Sequence, residues 1–197
     1  MSDILVVYYS LHGATESLAR EICRGVDAVP DMASRLRTVP KVSMLTQAVE
    51  DDVPASGPPF ATAEDLVACS GLIMGSPTRF GNMAAALGHF LDSTITQWLE
   101  GSAAGKPAAV FTSTSSLHGG QESTLLSMAI PLLHHGMLLV GLPATEPAIL
   151  TTTTRGTPYG ASHVSFNRKP DTLSDDERDL ARALGRRVAE IAKKLEA

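Results

Sequence analysis

Residues 4–15 read ILVVYYSLHGAT, and this stretch decides the fold. Its first six residues form an unbroken apolar run, which is typical of a strand buried on both faces of a sheet. The next six form a short polar loop, after which Leu18, Ile22 and Val26 recur at helical spacing. The stretch therefore predicts a strand, a loop and a helix in immediate succession.

The same alternation continues along the chain. Further strands are predicted at residues 32–38, 71–76, 108–112 and 137–140, and further helices at residues 63–66, 84–91 and 121–133. A last helix is predicted after Ser174, which forms a capping box with Glu177 ahead of an apolar stripe that ends at Leu195. Strands that alternate with helices in this way predict an α/β fold, a parallel sheet with right-handed crossovers and helices on both faces.

The chain length of 197 residues fits a single domain over residues 1–197. Two stretches lack clear periodicity and are predicted to be long loops, at about residues 40–60 and 143–170. Irregular loops of this length are uncommon in a compact domain and usually indicate function, an oligomer contact or disorder.

Composition argues against several classes of protein. The formal net charge is −5 and no run of Lys or Arg is present, so we expect no nucleic-acid partner. No apolar stretch approaches the ~18 residues of a membrane span, and the first ten residues lack the pattern of a signal peptide, so we expect a cytoplasmic protein without membrane insertion. Cys23 and Cys69 stand far apart and predict buried thiols rather than a zinc site or a disulfide.

In a sheet of this kind, ligands bind beyond the carboxyl ends of the strands. The first loop there, residues 10–15, offers hydroxyl groups and backbone N–H groups at a helix start, which can hold a phosphate without Lys or Arg. It contains neither Gly-Lys-Ser/Thr, which excludes a P-loop, nor Gly-x-Gly-x-x-Gly. An ordinary capped helix start is the alternative interpretation.

Two further loops lie at the same predicted edge. Residues 76–83 contain Thr78, Arg79 and Phe80, whose N–H groups and planar side chain could face a flat heterocycle; a turn with a surface Arg is the alternative. Residues 112–116 are five consecutive hydroxyl residues, which could surround a polar ligand or form a flexible polar loop.

Three side chains outside these loops are candidates. His134 and His135 follow one another near a predicted helix end, where a histidine could cap the helix, and they lack a third metal ligand at any recognised spacing, so no metal is expected. Trp98 is the only tryptophan and falls in a segment without periodicity, which favours an exposed or interface position over a core position.

Five motifs occur in order: YYSLHG at residues 8–13, SPTRFGNM at 76–83, GGQE at 119–122, HHGM at 134–137 and GTPYG at 156–160. Together they make the whole chain resemble the WrbA-type NAD(P)H:quinone oxidoreductases of the flavodoxin-like superfamily. The resemblance implies a doubly wound, five-stranded parallel sheet in the order 2-1-3-4-5, with FMN as the cofactor.

The resemblance also implies a role for each loop. The FMN phosphate would lie on Ser10, Leu11, His12, Gly13, Ala14 and Thr15. The isoalloxazine would lie on Pro77, Thr78, Arg79 and Phe80. The ribityl chain and ring edge would lie on Ser113, Thr114, Ser115, Ser116, Leu117, His118 and Gly119.

The resemblance implies catalysis for Arg79 and for His134, and it also implies that His134 binds the cofactor, pointing at the flavin from its own chain or across a subunit boundary. Trp98 and His12 would contact the substrate. Two departures from the family are visible: His12 stands where the family often has a tyrosine, and the loop that holds His118 is about one residue longer than usual.

The activity that the resemblance implies is two-electron transfer from NAD(P)H to a quinone, for which we expect a ping-pong mechanism, in a tetramer whose pockets are built from several subunits. Two alternatives remain open on the residues alone. One is a flavodoxin-like electron carrier, which the acidic charge permits. The other is a non-catalytic, FMN-binding regulatory protein, although no basic recognition helix is present.

Overall fold

The structure is a computed structural model that describes residues 2–42, 54, 57–165 and 172–196. Strands and helices alternate along most of it. In chain order they are β1 (Ser2–Tyr8), α1 (Ala14–Asp27), β2 (Met32–Thr38), α2 (Ala63–Ala68), β3 (Gly71–Pro77), α3 (Ala85–Asp92), α4 (Ile95–Leu99), β4 (Pro107–Thr114), α5 (Gln121–His134), β5 (Leu138–Leu139), α6 (Pro147–Thr151), β6 (Ala161–Val164) and α7 (Asp175–Leu195).

All the strand pairs are parallel, and the sheet has the order β2-β1-β3-β4-β5. The predicted order and the helices on both faces are confirmed. The position beyond β4 is shared by two strands, because β5 pairs with the start of β4 and β6 pairs with its end, Phe111–Thr114. The sheet therefore has a sixth strand that the sequence pattern did not predict.

The structure differs from the expectation of one irregular loop at 143–170, because this stretch contains α6 and β6. β6 reads ASHV and escapes a search for apolar runs, since a serine and a histidine occupy two of its four buried positions. Residues 166–170 lie outside the described residues, as does most of the other predicted loop, at residues 43–53, 55 and 56.

β1 shows why the sheet is covered on both sides. Ile4 and Val6 pack in one core with α1 and α7, whereas Leu5 and Val7 pack in a second core with α3 and α5. All four side chains have no exposed surface. The apolar run at residues 4–9 thus has the origin that the sequence indicated, a strand between two layers of helices.

Two glycines bring α1 and α7 into backbone contact. A Cβ added at Gly25 would lie 2.0 Å from the carbonyl oxygen of Arg182, and one at Gly185 would lie 2.1 Å from that of Ile22. Such distances leave no room for a side chain. The helix that follows the first loop is therefore held directly against the last helix of the chain.

Gly185→Ala is expected to lower the free energy of unfolding by roughly 1–3 kcal/mol, because the methyl group would force the two helix backbones apart. The matched control is Gly88→Ala in α3, where an added Cβ would meet no atom within 4 Å. That control is expected to be neutral or to stabilise by up to ~1 kcal/mol. Urea unfolding measures both, and equal losses would contradict the close helix contact.

Candidate functional site

The carboxyl ends of β1, β3 and β4 meet at the point where the chain changes direction across the sheet, since β2 lies on one side of β1 and β3 on the other. A cavity of about 310 Å³ opens there. Its lining consists of Ser10, Leu11, His12, Ala14, Thr15, Pro77, Thr78, Arg79, Ser113, Thr114, Ser115 and Ser165. The structure therefore brings together residues from all three loops that the sequence singled out.

The first loop leaves the start of α1 open for an anion. Gly13 is the N-cap residue, with φ of 86°, a left-handed conformation that favours glycine. It has no side chain to accept hydrogen bonds from the first turn, so these N–H groups remain for a ligand. Ser10 shapes the loop, because its Oγ accepts a hydrogen bond from the Gly13 N–H at 3.1 Å.

A hydroxyl pair joins this loop to β4. Thr15 Oγ1 and Ser113 Oγ lie 2.9 Å apart, and both residues are buried. Thr78 is fixed in turn, because its N–H donates to the Ser113 carbonyl at 2.9 Å and its hydroxyl lies 2.8 Å from that of Thr124 in α5. Ser113 is thus the residue through which two sides of the cavity are held in register.

The second loop turns sharply at Phe80 and Gly81. Arg79 and Asn82 exchange two backbone hydrogen bonds across them, and both turn residues have positive φ, 52° and 80°. This conformation is strained for a phenylalanine, and strain of this kind concentrates at functional sites. The Phe80 side chain is fully exposed and is absent from the cavity lining.

The third loop contributes less than the resemblance implied. Ser115 lines the cavity, whereas the predicted residues outside the lining are Ser116, Leu117, His118 and Gly119. The Gln121 amide donates to the Thr114 hydroxyl at 2.7 Å and to the Ser116 carbonyl at 2.8 Å, which holds the loop against α5. Leu117 and His118 line a separate cavity of about 440 Å³ beside Arg155.

Trp98 and His134 lie together, but away from the cavity. The Trp98 indole N–H donates to the His134 carbonyl at 2.9 Å, and the two rings stack with centroids 5.0 Å apart. His134 ends α5, whose first residue, Gln121, follows the third loop, so the helix separates His134 from the cavity side by roughly 20 Å. Within one chain the structure does not bring these two residues to the site.

The neighbouring histidine has the role that the sequence suggested. His135 is the C-cap residue of α5, and its Nε2 lies 3.2 Å from the Thr94 hydroxyl. Burial and the adjacent His134 lower the pKa of His135. Trp98 is partly exposed, as predicted, but it lies in the short helix α4 rather than in an irregular segment.

Ser165 is the cavity residue that the sequence did not single out. Its N–H and its hydroxyl both donate to the Thr114 carbonyl, at 2.9 and 3.2 Å. It follows β6 directly, so recognising β6 would have placed it at the carboxyl edge of the sheet with the other loops. The signal was absent because β6 itself lacks an apolar run.

Other predicted features concern metals, thiols and membranes. Over the described residues, no three His, Cys, Asp or Glu side chains gather in a way that could hold a metal ion. Cys23 and Cys69 are free, buried thiols, as predicted, and burial raises the pKa of each. None of the helices in the described ranges combines the length and apolar character needed to cross a membrane.

Comparisons with known proteins agree with this arrangement. The family model for NADPH-dependent FMN reductase matches residues 3–144. A relative named NAD(P)H dehydrogenase (quinone) from Solidesulfovibrio magneticus is 40% identical, over 99% of this chain and 100% of its own. One of the same name from Gluconacetobacter diazotrophicus is 43% identical, over 100% of both chains.

Solved structures show the same fold. A WrbA-like flavodoxin from Agrobacterium tumefaciens aligns with a TM-score of 0.65 and 21% identity, over 98% of this chain and 99% of its own. Flavodoxin 2 from Bacillus cereus aligns with a TM-score of 0.58 and 22% identity, over 100% of both chains. These likenesses confirm a flavodoxin-like fold.

Proposed function

We propose that this chain, which belongs to the NADPH-dependent FMN reductase family, transfers two electrons from NAD(P)H to quinones with FMN as its cofactor. The membership confirms the resemblance that the five motifs indicated. The proposal takes its activity from relatives named NAD(P)H dehydrogenase (quinone), about 40% identical over nearly the whole chain. The observation that carries it is the open start of α1 beneath a cavity rich in hydroxyl groups.

The residues present fit FMN. The N–H groups of the first turn of α1, with the helix dipole behind them, suit a phosphate dianion, and the Thr15 hydroxyl faces the same cavity. The hydroxyls of Ser113, Ser115 and Ser165 suit a polyol such as the ribityl chain. When bound there, FMN would supply the redox chemistry, and the protein would supply orientation and electrostatics.

Arg79 is the cationic side chain of the cavity lining. Its guanidinium donates to the carbonyl of Thr78 at 2.7 Å, which holds it beside the second loop. A fixed positive charge there would stabilise negative charge on a bound ring or on a quinone oxygen. We therefore assign Arg79 a catalytic role, in addition to binding the cofactor.

We propose that NAD(P)H and the quinone use the same face of the site in turn. His12 lines this face and is exposed, so we assign it to substrate contact. Alternating use of one site predicts ping-pong kinetics, with parallel lines in double-reciprocal plots. Intersecting lines would contradict it.

We also propose that the site is completed in a tetramer. Trp98 and His134 cannot reach the cavity of their own chain, and large apolar side chains around them are more than half exposed, at Ile95, Leu99, Ile130 and Leu133. Exposed apolar patches of this kind are typical of protein interfaces. A neighbouring copy that covers them would present Trp98 as a pocket wall and His134 to the flavin. A cytoplasmic location for this assembly stays a prediction.

One observation favours an electron carrier as the second candidate. The described residues that line the cavity include no Phe, Tyr or Trp. A single chain therefore supplies none of these side chains to cover a flavin ring. A carrier would keep such an open edge for docking its partners.

A reduction experiment separates the two candidates. Protein loaded with FMN is mixed anaerobically with NADH and, separately, with NADPH, and the yellow absorbance of the oxidised flavin is followed. The oxidoreductase is expected to lose this colour and to regain it when a benzoquinone is added. Colour that persists with both nucleotides would rule out the enzyme and favour the carrier.

A further inference from the structure

A histidine and a glutamate are paired inside the protein behind the cavity. His163 in β6 and Glu177 in α7 have side chains with no exposed surface, and His163 Nδ1 lies 3.0 Å from Glu177 Oε2. Ionisable groups are rarely buried so completely unless they are paired. The proposed reaction uses neither residue.

Glu177 joins two segments of backbone as well as the imidazole. Its Oε2 also accepts the Ser174 N–H at 2.8 Å, within the capping box of α7, and its Oε1 accepts the Val164 N–H of β6 at 3.3 Å. Burial alone would raise the pKa of Glu177, but the hydrogen bonds from these three groups lower it below its usual value. The carboxylate is thus charged at neutral pH and shared by three donors.

The direction of the hydrogen bond follows from the chemistry of the two groups. A carboxylate oxygen only accepts hydrogen bonds, so the proton of this contact lies on His163 Nδ1. Nε2 is buried and has no partner among the described residues. His163 therefore acts here as a hydrogen-bond donor to Glu177.

The pair lies next to the residues that shape the cavity. His163 is the ladder partner of Ser113 in β4, and Ser113 is the residue whose hydroxyl meets Thr15 of the first loop. Val164, which Glu177 also holds, precedes Ser165 in the cavity lining. The pair therefore fixes β6 at His163, which lies beside Ser113, and at Val164, which precedes Ser165.

We propose that His163 and Glu177 are positioning residues of the cofactor site: they set the affinity for FMN by holding Ser113 and Ser165 in place, without touching the cofactor. This inference rests on the proposed function, because it takes FMN as the ligand of the cavity. The hydrogen bond from Nδ1, and not the volume of the ring, is then what maintains the affinity for FMN.

Three variants test that distinction through the dissociation constant of FMN, measured by quenching of flavin fluorescence. His163→Leu keeps an apolar volume but loses the donor, and it is expected to weaken FMN binding about 10-fold. His163→Asn places an amide N–H near the position of Nδ1, and it is expected to stay within about 3-fold of the wild type. Glu177→Gln has one acceptor for three donors, so it is expected to behave like the leucine variant.

A matched control separates positioning from general stability. Thr62 and Asp65 form a second capping box, at α2, whose residues do not line the cavity. Thr62→Ala should lower the unfolding midpoint and leave FMN affinity unchanged. Circular dichroism at the titration temperature verifies that every variant is folded, and the two milder variants carry the test if His163→Leu does not fold.

Each remaining outcome decides the question. If all three variants bind FMN like the wild type, or if the asparagine variant is as weak as the leucine variant, the positioning role is wrong. If Thr62→Ala weakens FMN binding as much as Glu177→Gln does, the pair acts only through stability, and the inference also fails. Wild-type protein that binds no FMN would instead overturn the proposed function, together with this inference.

Discussion

Ser10→Asp is expected to lower the affinity for FMN by at least about 100-fold, because it places a carboxylate where the phosphate would bind. Like charges ~4 Å apart repel by several kcal/mol at the dielectric constant of a protein surface, and 100-fold corresponds to about 2.7 kcal/mol. The fold should tolerate the change. Aspartate can accept the Gly13 N–H as Ser10 Oγ does, and a negative charge at a helix start is favourable.

Opposite effects on stability and binding make this prediction specific. The free protein should keep its stability or gain up to ~1 kcal/mol, while FMN binding collapses. Riboflavin, which lacks the phosphate, should lose far less affinity than FMN. Ser10→Asn is the matched neutral control, and it should lose far less FMN affinity than Ser10→Asp because it adds no charge. Equal losses for riboflavin and FMN would show that the phosphate does not lie at the start of α1.

His134→Ala is expected to lower the rate of quinone reduction by about 100-fold, with a much smaller effect on the FMN affinity. The reason is geometric: His134 lies at the far end of α5 from the cavity of its own chain, so it would act in the site of a neighbouring copy. His135→Ala is the matched control, because the His135 ring lies within hydrogen-bond distance of the Thr94 hydroxyl. This variant should change the activity by less than about 3-fold. Steady-state kinetics with saturating NADH measures both.

Mixing two inactive variants tests the shared site directly. Copies with Ser10→Asp lack a working cofactor site but carry an intact His134, whereas copies with His134→Ala have the reverse defect. Co-expression of the two should restore a measurable part of the activity if His134 serves a neighbouring copy. Mixed oligomers without restored activity, or a fully active monomer in sedimentation, would contradict the tetramer proposal.

The parts of the fold that could be predicted are those with a repeated pattern. The apolar run of β1 and the stripe at Leu18, Ile22 and Val26 identified a buried strand and a helix, and the structure has both. β6 could not be identified, because its buried His163 depends on a hydrogen bond to Glu177, a residue from another element. A pairing between distant residues leaves no local periodicity.

The residues of the candidate site also differ in how well the sequence predicts where they lie. Residues in the carboxyl end of a strand, such as Pro77 and Ser113, or just beyond it, such as Ser10, line the cavity because the sheet fixes where the end of each strand lies. His118 was implied by the family resemblance and not by a local pattern, and the Gln121 amide holds its loop against α5. His134 lies at the far end of α5, so its proposed place at the flavin requires a second copy, and contacts between copies leave no local pattern in a single sequence.

The contact between α1 and α7 has a consequence for folding. α1 carries the proposed anion site at its start, and through Gly25 and Gly185 it packs against a helix that lies far along the chain. Contacts between segments so distant in sequence form more slowly than local contacts. We therefore expect the start of α1 to be fixed in place, and ready for FMN, only once α7 has docked.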